Sequence, residues 1–322
     1  MKRFLRDVAL FLALQGAIFA GLDRFYMVRY GGQHFLASFL DKAERLERTP
    51  SPRILLVGGS SFAFGTKSAI LERRTGRPVV NLGVHAGLGL AFMLAQAAEA
   101  ARAGDLVVLA PEYALLETGD FCDTPALQLQ LRLAPGSVRF ISPRLVPRLL
   151  DSGLFAATDR LQALESWMRG QPVEVLYNRA SFNQYGDMVG HHPYGSWNAN
   201  KQHVLVPPAE GAGRAIARLA AFARTLRARG TDVVIAPPPI PGDDYEPQRQ
   251  RAAELWAAVS RGSGIEVVGL KRVYPRDLFF DTAYHLTLEG KRIRTRALLQ
   301  VVSGRLESSG SHAASALGPP SR

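Results

Sequence analysis

The chain holds one cysteine, Cys122, among 322 residues. A single thiol cannot form an internal disulfide, so a fold of this length must rest on apolar burial. No His motif lies near Cys122, which leaves it a free loop thiol rather than a nucleophile. Lysine is scarce: six lysines stand against 33 arginines. The net charge of +11 is scattered along the chain, and no zinc-finger, basic-zipper or aromatic RNA-binding signature accompanies it. Nucleic acid is therefore not expected as a partner. The charge reads first as a solvated arginine-rich surface, and after that as a match for an anionic glycan or lipid headgroup. His191, His192 and His203 follow no zinc spacing, and neither metal nor cofactor is expected. Internal repeats are lacking too. With 47% hydrophobic and 21% charged residues, the composition argues against a mainly disordered, collagen-like or multi-span membrane protein.

What is present begins at the N-terminus. Lys2, Arg3 and Arg6 precede an apolar run over residues 8–22 that only Gln15 interrupts. With Phe4, Leu5, Phe25 and Tyr26 as interface residues, a tilted helix over residues 1–30 reaches across a bilayer. The positive start keeps that end in the cytoplasm and sends the rest of the chain across. A signal peptide cut after Ala20 is the alternative, weakened by Ile18 where a small residue is usual. Either way the globular part is expected outside the cytoplasm, facing the periplasm or the cell exterior. Residues 31–52 read as a connector, helical over 33–47 and broken at Thr49-Pro50-Ser51-Pro52.

Beyond the connector, short apolar runs alternate with helical stretches. Strands are predicted at residues 53–57, 78–82, 105–109, 232–236 and 265–268. Helices are predicted at 66–75, 88–102, 212–229, 246–261 and 288–303. This is the order of βαβ units, and hence of a parallel sheet with helices on both faces. Five strands fit a three-layer α/β/α, flavodoxin-like domain over residues 53–302, whose site lies at the carboxyl ends of the strands. Residues 112–205, rich in turns and aromatics, read as an insertion or lid. The Ser-, Gly- and Ala-rich tail, 303–322, reads as disordered.

Three of those strand ends carry candidate chemistry. Gly59-Ser60-Ser61 opens a strand-to-helix turn, where a serine oxygen is exposed and helix amides face it. Phosphate-loop and dinucleotide patterns do not fit there. Gly83, Gly87 and Gly89 follow the second strand and allow close backbone approach, and His85 among them reads as a neighbouring structural or supporting residue. Asp281 and His285 stand together before the last helix, a spacing that suits a general base and the carboxylate that orients it. A capping role for Asp281 and a packing role for the glycines are the plain alternatives. Trp167, Tyr185, Tyr194 and Trp197 are either stacking platforms for sugar rings or the small core of the insertion.

Together these motifs resemble the SGNH, or GDSL-like, hydrolase superfamily, in particular its membrane-anchored branch in cell-envelope polysaccharide modification. The resemblance spans about residues 53–300. Gly59-Ser60-Ser61 with Gly65 matches the family's opening block, Gly83 or Gly87 its second glycine, and Asp281, His285 and Gly290 its closing block. It implies that Ser61 is the nucleophile, His285 the base and Asp281 the orienting acid. The N–H groups of Ser61 and of Gly83 or Gly87 then form the oxyanion hole. Ser60 stands where the family has Asp, and the Asp-to-His gap is one residue longer. The family's Gly-x-Asn-Asp reads Ala110-Pro111-Glu112-Tyr113, so the oxyanion-donating Asn is absent. Glu112, Asn183 and Trp197 become candidate substrate contacts, with Asn183 or Gln184 as a replacement donor. The implied activity is O-acyl, notably O-acetyl, ester hydrolysis or transfer on an envelope or extracellular polysaccharide, in company with other polysaccharide-assembly proteins. A non-catalytic glycan-binding or scaffolding subunit is the second reading.

Overall fold

The computed structural model describes residues 1–119, 121–151, 155–171, 176–197 and 202–316. Its centre is a five-stranded, all-parallel sheet. The strands are β1 (Ile54–Gly58), β2 (Val79–Asn81), β3 (Leu106–Ala110), β4 (Asp232–Ile235) and β6 (Glu266–Val267), in the order β2-β1-β3-β4-β6. Ile54 is the register point, facing Val79 on one side and Leu106 on the other. A second, two-stranded parallel sheet pairs β5 (Ile240–Pro241) with β7 (Val273–Tyr274). All five strands expected from the sequence are present, each within a few residues of its predicted bounds.

The helices are α1 (Lys2–Arg29), α2 (Ser38–Arg48), α3 (Ser60–Gly65), α4 (Ser68–Thr75), α5 (Leu90–Ala100), α6 (Tyr113–Thr118) and α7 (Thr124–Leu133). They continue with α8 (Val146–Asp151), α9 (Phe155–Met168), α10 (Gly213–Arg227), α11 (Gly242–Tyr245), α12 (Arg249–Ser263) and α13 (Leu288–Ala316). Strand side chains alternate between two faces, and each set enters its own core. Leu55, Val57, Val107, Leu109, Val233 and Ile235 pack with residues of α5, α10 and α12. Ile54, Leu56, Leu106, Val108 and Val234 pack with Phe62 of α3, Leu71 of α4 and Leu298 and Val302 of α13. Strands buried on both sides need near-continuous apolar runs, which is why these segments were legible as strands.

Helix α1 is long and apolar enough to cross a membrane, and its apolar stretch is unburied by the rest of the chain. The last helix departs from expectation. Residues 303–316, read as part of a disordered tail, continue α13 to Ala316. No proline interrupts this stretch before Pro319. Arg305 also holds the helix to the sheet, bonding Asp232 at 2.6 Å and Glu266 at 2.9 Å. Residues 317–322 of that tail lie outside the described residues.

Candidate functional site

The site forms where β1, β2 and β3 end side by side. Gly58 of β1 pairs with Ala110 of β3, so the chain leaves both strands in parallel and Pro111-Glu112 runs beside Gly59-Ser60-Ser61. Gly59 is required by contact: a Cβ there would meet Glu112 Oε1 at 2.4 Å and the Ala86 amide nitrogen at 2.7 Å. Gly83 is equally confined, 2.6 Å from the Gly59 carbonyl by the same test.

Glu112 is fully buried at this junction. Its carboxylate accepts the Gly59 N–H and the Ser61 N–H, each at 3.1 Å. Burial pushes the Glu112 carboxyl up, and these amide donors pull it only part of the way back. Glu112 thus braces the turn from beneath.

His285 and Asp281 meet as the closing motif suggested. The His285 ring donates from Nδ1 to Asp281 Oδ1 at 2.8 Å. The extra residue between them is absorbed by a turn in which Thr282 Oγ1 accepts the N–H groups of Tyr284 and His285, each at 3.2 Å. Tyr177, from the insertion, donates its hydroxyl to Asp281 Oδ2 and lies 3.1 Å from His285 Nδ1. Burial works to raise the Asp281 carboxyl, but the bond and charge of His285, with the Tyr177 bond, outweigh it and hold Asp281 below its ordinary range. Phe64 stacks on the imidazole, its ring centroid 3.7 Å away and its plane 7° off parallel. The ring is clamped, and among the described residues Nε2 is its unengaged nitrogen.

A cavity of about 390 Å³ opens beside this pair, with Ser60, His85, Tyr177, Thr282 and His285 in its wall. Ser60, not Ser61, lines it. Ser61 is completely buried, beside Glu112. The serine that the resemblance makes the nucleophile, Ser61, thus lies behind the cavity wall, and its neighbour Ser60 lies in it. Helix α3 starts at Ser60, and consecutive helical side chains diverge by about 100°, so the two hydroxyls enter different surroundings.

The expected oxyanion amides are also in use. The Gly83 N–H donates to Asn81 Oδ1 at 3.0 Å, and the Gly87 N–H to His85 Nδ1 at 2.9 Å. With the Ser61 N–H on Glu112, all three donors inferred from the family pattern have intramolecular acceptors. The same contacts reveal a donor that the sequence did not point to. Burial is the main cause that holds His85 below the ordinary histidine range, and His285 adds to it against Asp123. A neutral ring whose Nδ1 accepts an N–H must carry its proton on Nε2. His85 therefore presents an N–H donor in the wall that it shares with Ser60 and His285.

Other candidates stand apart from the cavity wall. Asn183 is a turn residue whose Oδ1 accepts the N–H groups of Tyr185 and Asp187, both at 3.0 Å. Trp197 is exposed, its ring tilted against that of Phe280, the neighbour of Asp281, at 6.1 Å between centroids. His191 packs on Phe64 and bonds the Leu286 carbonyl, and His203 bonds Asp244. The insertion is pinned by two buried lysines. Lys42 donates to the carbonyls of Asn81 and Gly186, and Lys291 to those of Ala63 and Met188. Asp187 accepts from Ser68 and Asn81 between them. These bonds fix the segment that carries Tyr177. No protein-family model, curated protein or solved structure matches this chain.

Proposed function

We propose that this chain is a serine-dependent O-acyl esterase or O-acyltransferase of the SGNH type, acting on acetyl esters of a cell-envelope or extracellular polysaccharide. The single observation that carries the reading is that Ser60 and an Asp281-oriented His285 open onto one cavity. The strand order and the two cores on alternate strand faces support a three-layer, flavodoxin-like domain. The apolar α1 supports an anchor in the cytoplasmic membrane, and its basic start supports a domain on the far side.

In this mechanism Ser60 Oγ attacks the acyl carbonyl carbon while His285 Nε2 takes its proton. Asp281 stabilises the imidazolium that forms. His85 Nε2–H donates to the carbonyl oxygen as it gains charge, the task an Asn performs in the family pattern. Collapse breaks the ester bond, and His285 returns its proton to the departing sugar oxygen. A water or a second sugar hydroxyl then loses a proton to His285 and attacks the acyl-serine, releasing acid or a new ester. The residues in hand suit either acceptor, and no cofactor enters.

Labelling of the full chain in detergent with a serine-directed fluorophosphonate tests this. Label that Ser60→Ala abolishes and Ser61→Ala keeps, with acetyl-ester turnover following it, is the expected result. A folded chain that neither labels nor turns over supports the second reading, a glycan-binding or scaffolding subunit. One observation favours that alternative: the amides of Ser61, Gly83 and Gly87 are all engaged.

A further inference from the structure

The anchor helix is built into the domain without a linker. Residues 2–22 of α1 span about 32 Å at 1.5 Å per residue, close to the roughly 30 Å of a bilayer's hydrocarbon core. The next residue, Asp23, is ion-paired with Arg132 of α7 and, at 3.2 Å, with Arg160 of α9. One turn on, Tyr26 is buried, with the Arg160 guanidinium 5.0 Å from its ring centre. The domain therefore begins where the helix leaves the lipid. Its fringe there suits an interface. Phe25 meets Trp167 edge-on at 5.4 Å, Trp167 is 49% and Val28 75% exposed, and Arg24 and Arg29 are exposed beside them. Aromatic and arginine side chains of this kind sit at headgroup level.

The same packing reaches the cavity. Tyr26 shares one apolar cluster with Leu36 and Val84, with Phe35 packed against it. Val84 and Phe35 both line the cavity that holds Ser60 and His285. Phe35 follows Arg29 by six positions, at most about 21 Å of chain. The cavity is thus joined to α1 by continuous packing rather than by a free tether.

We propose that the ester this site takes is carried by a lipid: an O-acyl group on an amphiphile whose tail stays in the bilayer and whose head reaches the cavity. This rests on the esterase reading above and adds where the substrate resides. A freely diffusing polymer gains nothing from a cavity packed onto the anchor helix, whereas a lipid-borne ester is concentrated near it and arrives oriented.

The full chain in phospholipid vesicles is offered two probes with the same acetylated glucose head: an octadecyl glucoside, which partitions into the bilayer, and a methyl glucoside, which stays in water. A second arm offers acetate-free vesicles and assays release of phospholipid fatty acid, which separates a glycolipid source from a phospholipid source. We expect at least a tenfold higher kcat/KM for the octadecyl than for the methyl ester, and quenching of Trp167 fluorescence by lipids brominated near the headgroup, lost in Trp167→Phe. Fatty-acid release that exceeds acetate release still places the ester on a lipid and assigns it to phospholipid. Equal turnover of the two glucosides without fatty-acid release, or no quenching that depends on Trp167, overturns this inference and leaves the esterase reading standing. No turnover of any ester by a chain that still shows Trp167 quenching overturns both.

Discussion

Asp281 Oδ1 accepts the His285 Nδ1–H at 2.8 Å, and the Tyr177 hydroxyl reaches both members of the pair. The bond holds the imidazole in the tautomer that leaves Nε2 free to accept a proton. Asp281→Asn keeps the shape but favours the wrong tautomer, so kcat for an acetyl ester should fall on the order of 10³–10⁴-fold. Tyr177→Phe removes one hydrogen bond and should cost only about five- to tenfold. Equal losses in the two variants would mean that Tyr177 does more than brace the carboxylate.

His85 supplies the second prediction. His85→Ala removes the Nε2–H donor and should lower kcat about 10²–10³-fold with little change in KM, since the interaction strengthens only in the transition state. His85→Gln keeps a donor amide and should recover part of that loss. A rise in KM at constant kcat would assign His85 to substrate binding instead.

The turn over Glu112 is tightly packed. Gly59→Ala places a methyl 2.4 Å from Glu112 Oε1 and 2.7 Å from the Ala86 nitrogen. Overpacking of this kind costs about 1–3 kcal/mol. The melting temperature of the detergent-solubilised chain should drop by several degrees, whereas Gly195→Ala, where the added methyl meets nothing within 4 Å, should leave it unchanged.

The buried lysines give a pH dependence. Burial lowers Lys42 to about 7 and Lys291 to about 8, against 10.5 for a free lysine, with Asp187 opposing the shift. Between those values and 10.5 the unfolded chain holds more protons than the folded one. Stability contributed by these two groups therefore rises as pH climbs from about 7 towards 10. Urea midpoints measured at pH 7 and pH 9 should increase, and the double variant Lys42→Met/Lys291→Met should flatten that rise. An unchanged slope in the variant would exclude these lysines as its source.

Much of the framework was legible in the chain. A strand buried on both faces has to be apolar throughout, and the runs at residues 53–57 and 105–109 could be little else. Asp281 and His285 are four residues apart, so one turn brings them together, and their pairing was readable locally. The choice between Ser60 and Ser61 was not. The two are adjacent in sequence, and a family pattern matched on spacing favoured Ser61. Which serine lines the cavity depends on the rotation of α3, set by Phe62 packing into one core and by Glu112 bonding the Ser61 amide. Tyr177 escaped notice, and His85 was read only as a supporting residue, because nothing in their local sequence marks a part in the site. Their neighbours in the site are 108 and 200 residues away, respectively, for the pairs Tyr177–His285 and His85–His285.

The sequence by itself determined the apolar helix at the start, the parallel α/β sheet and the meeting of Asp281 with His285, because the helix and the pair follow from periodicity or spacing within one short segment and the sheet from the alternation of such segments along the chain. Tertiary structure alone decided which serine enters the cavity and that Glu112 occupies the amides beneath it. It also decided that His85 Nδ1 accepts the Gly87 N–H, which leaves its proton on Nε2, and that α1 is ion-paired to the domain from Asp23 onwards. Each of these depends on side chains brought together across strands and insertions, where close packing and hydrogen-bond satisfaction select one arrangement that no local stretch of chain encodes.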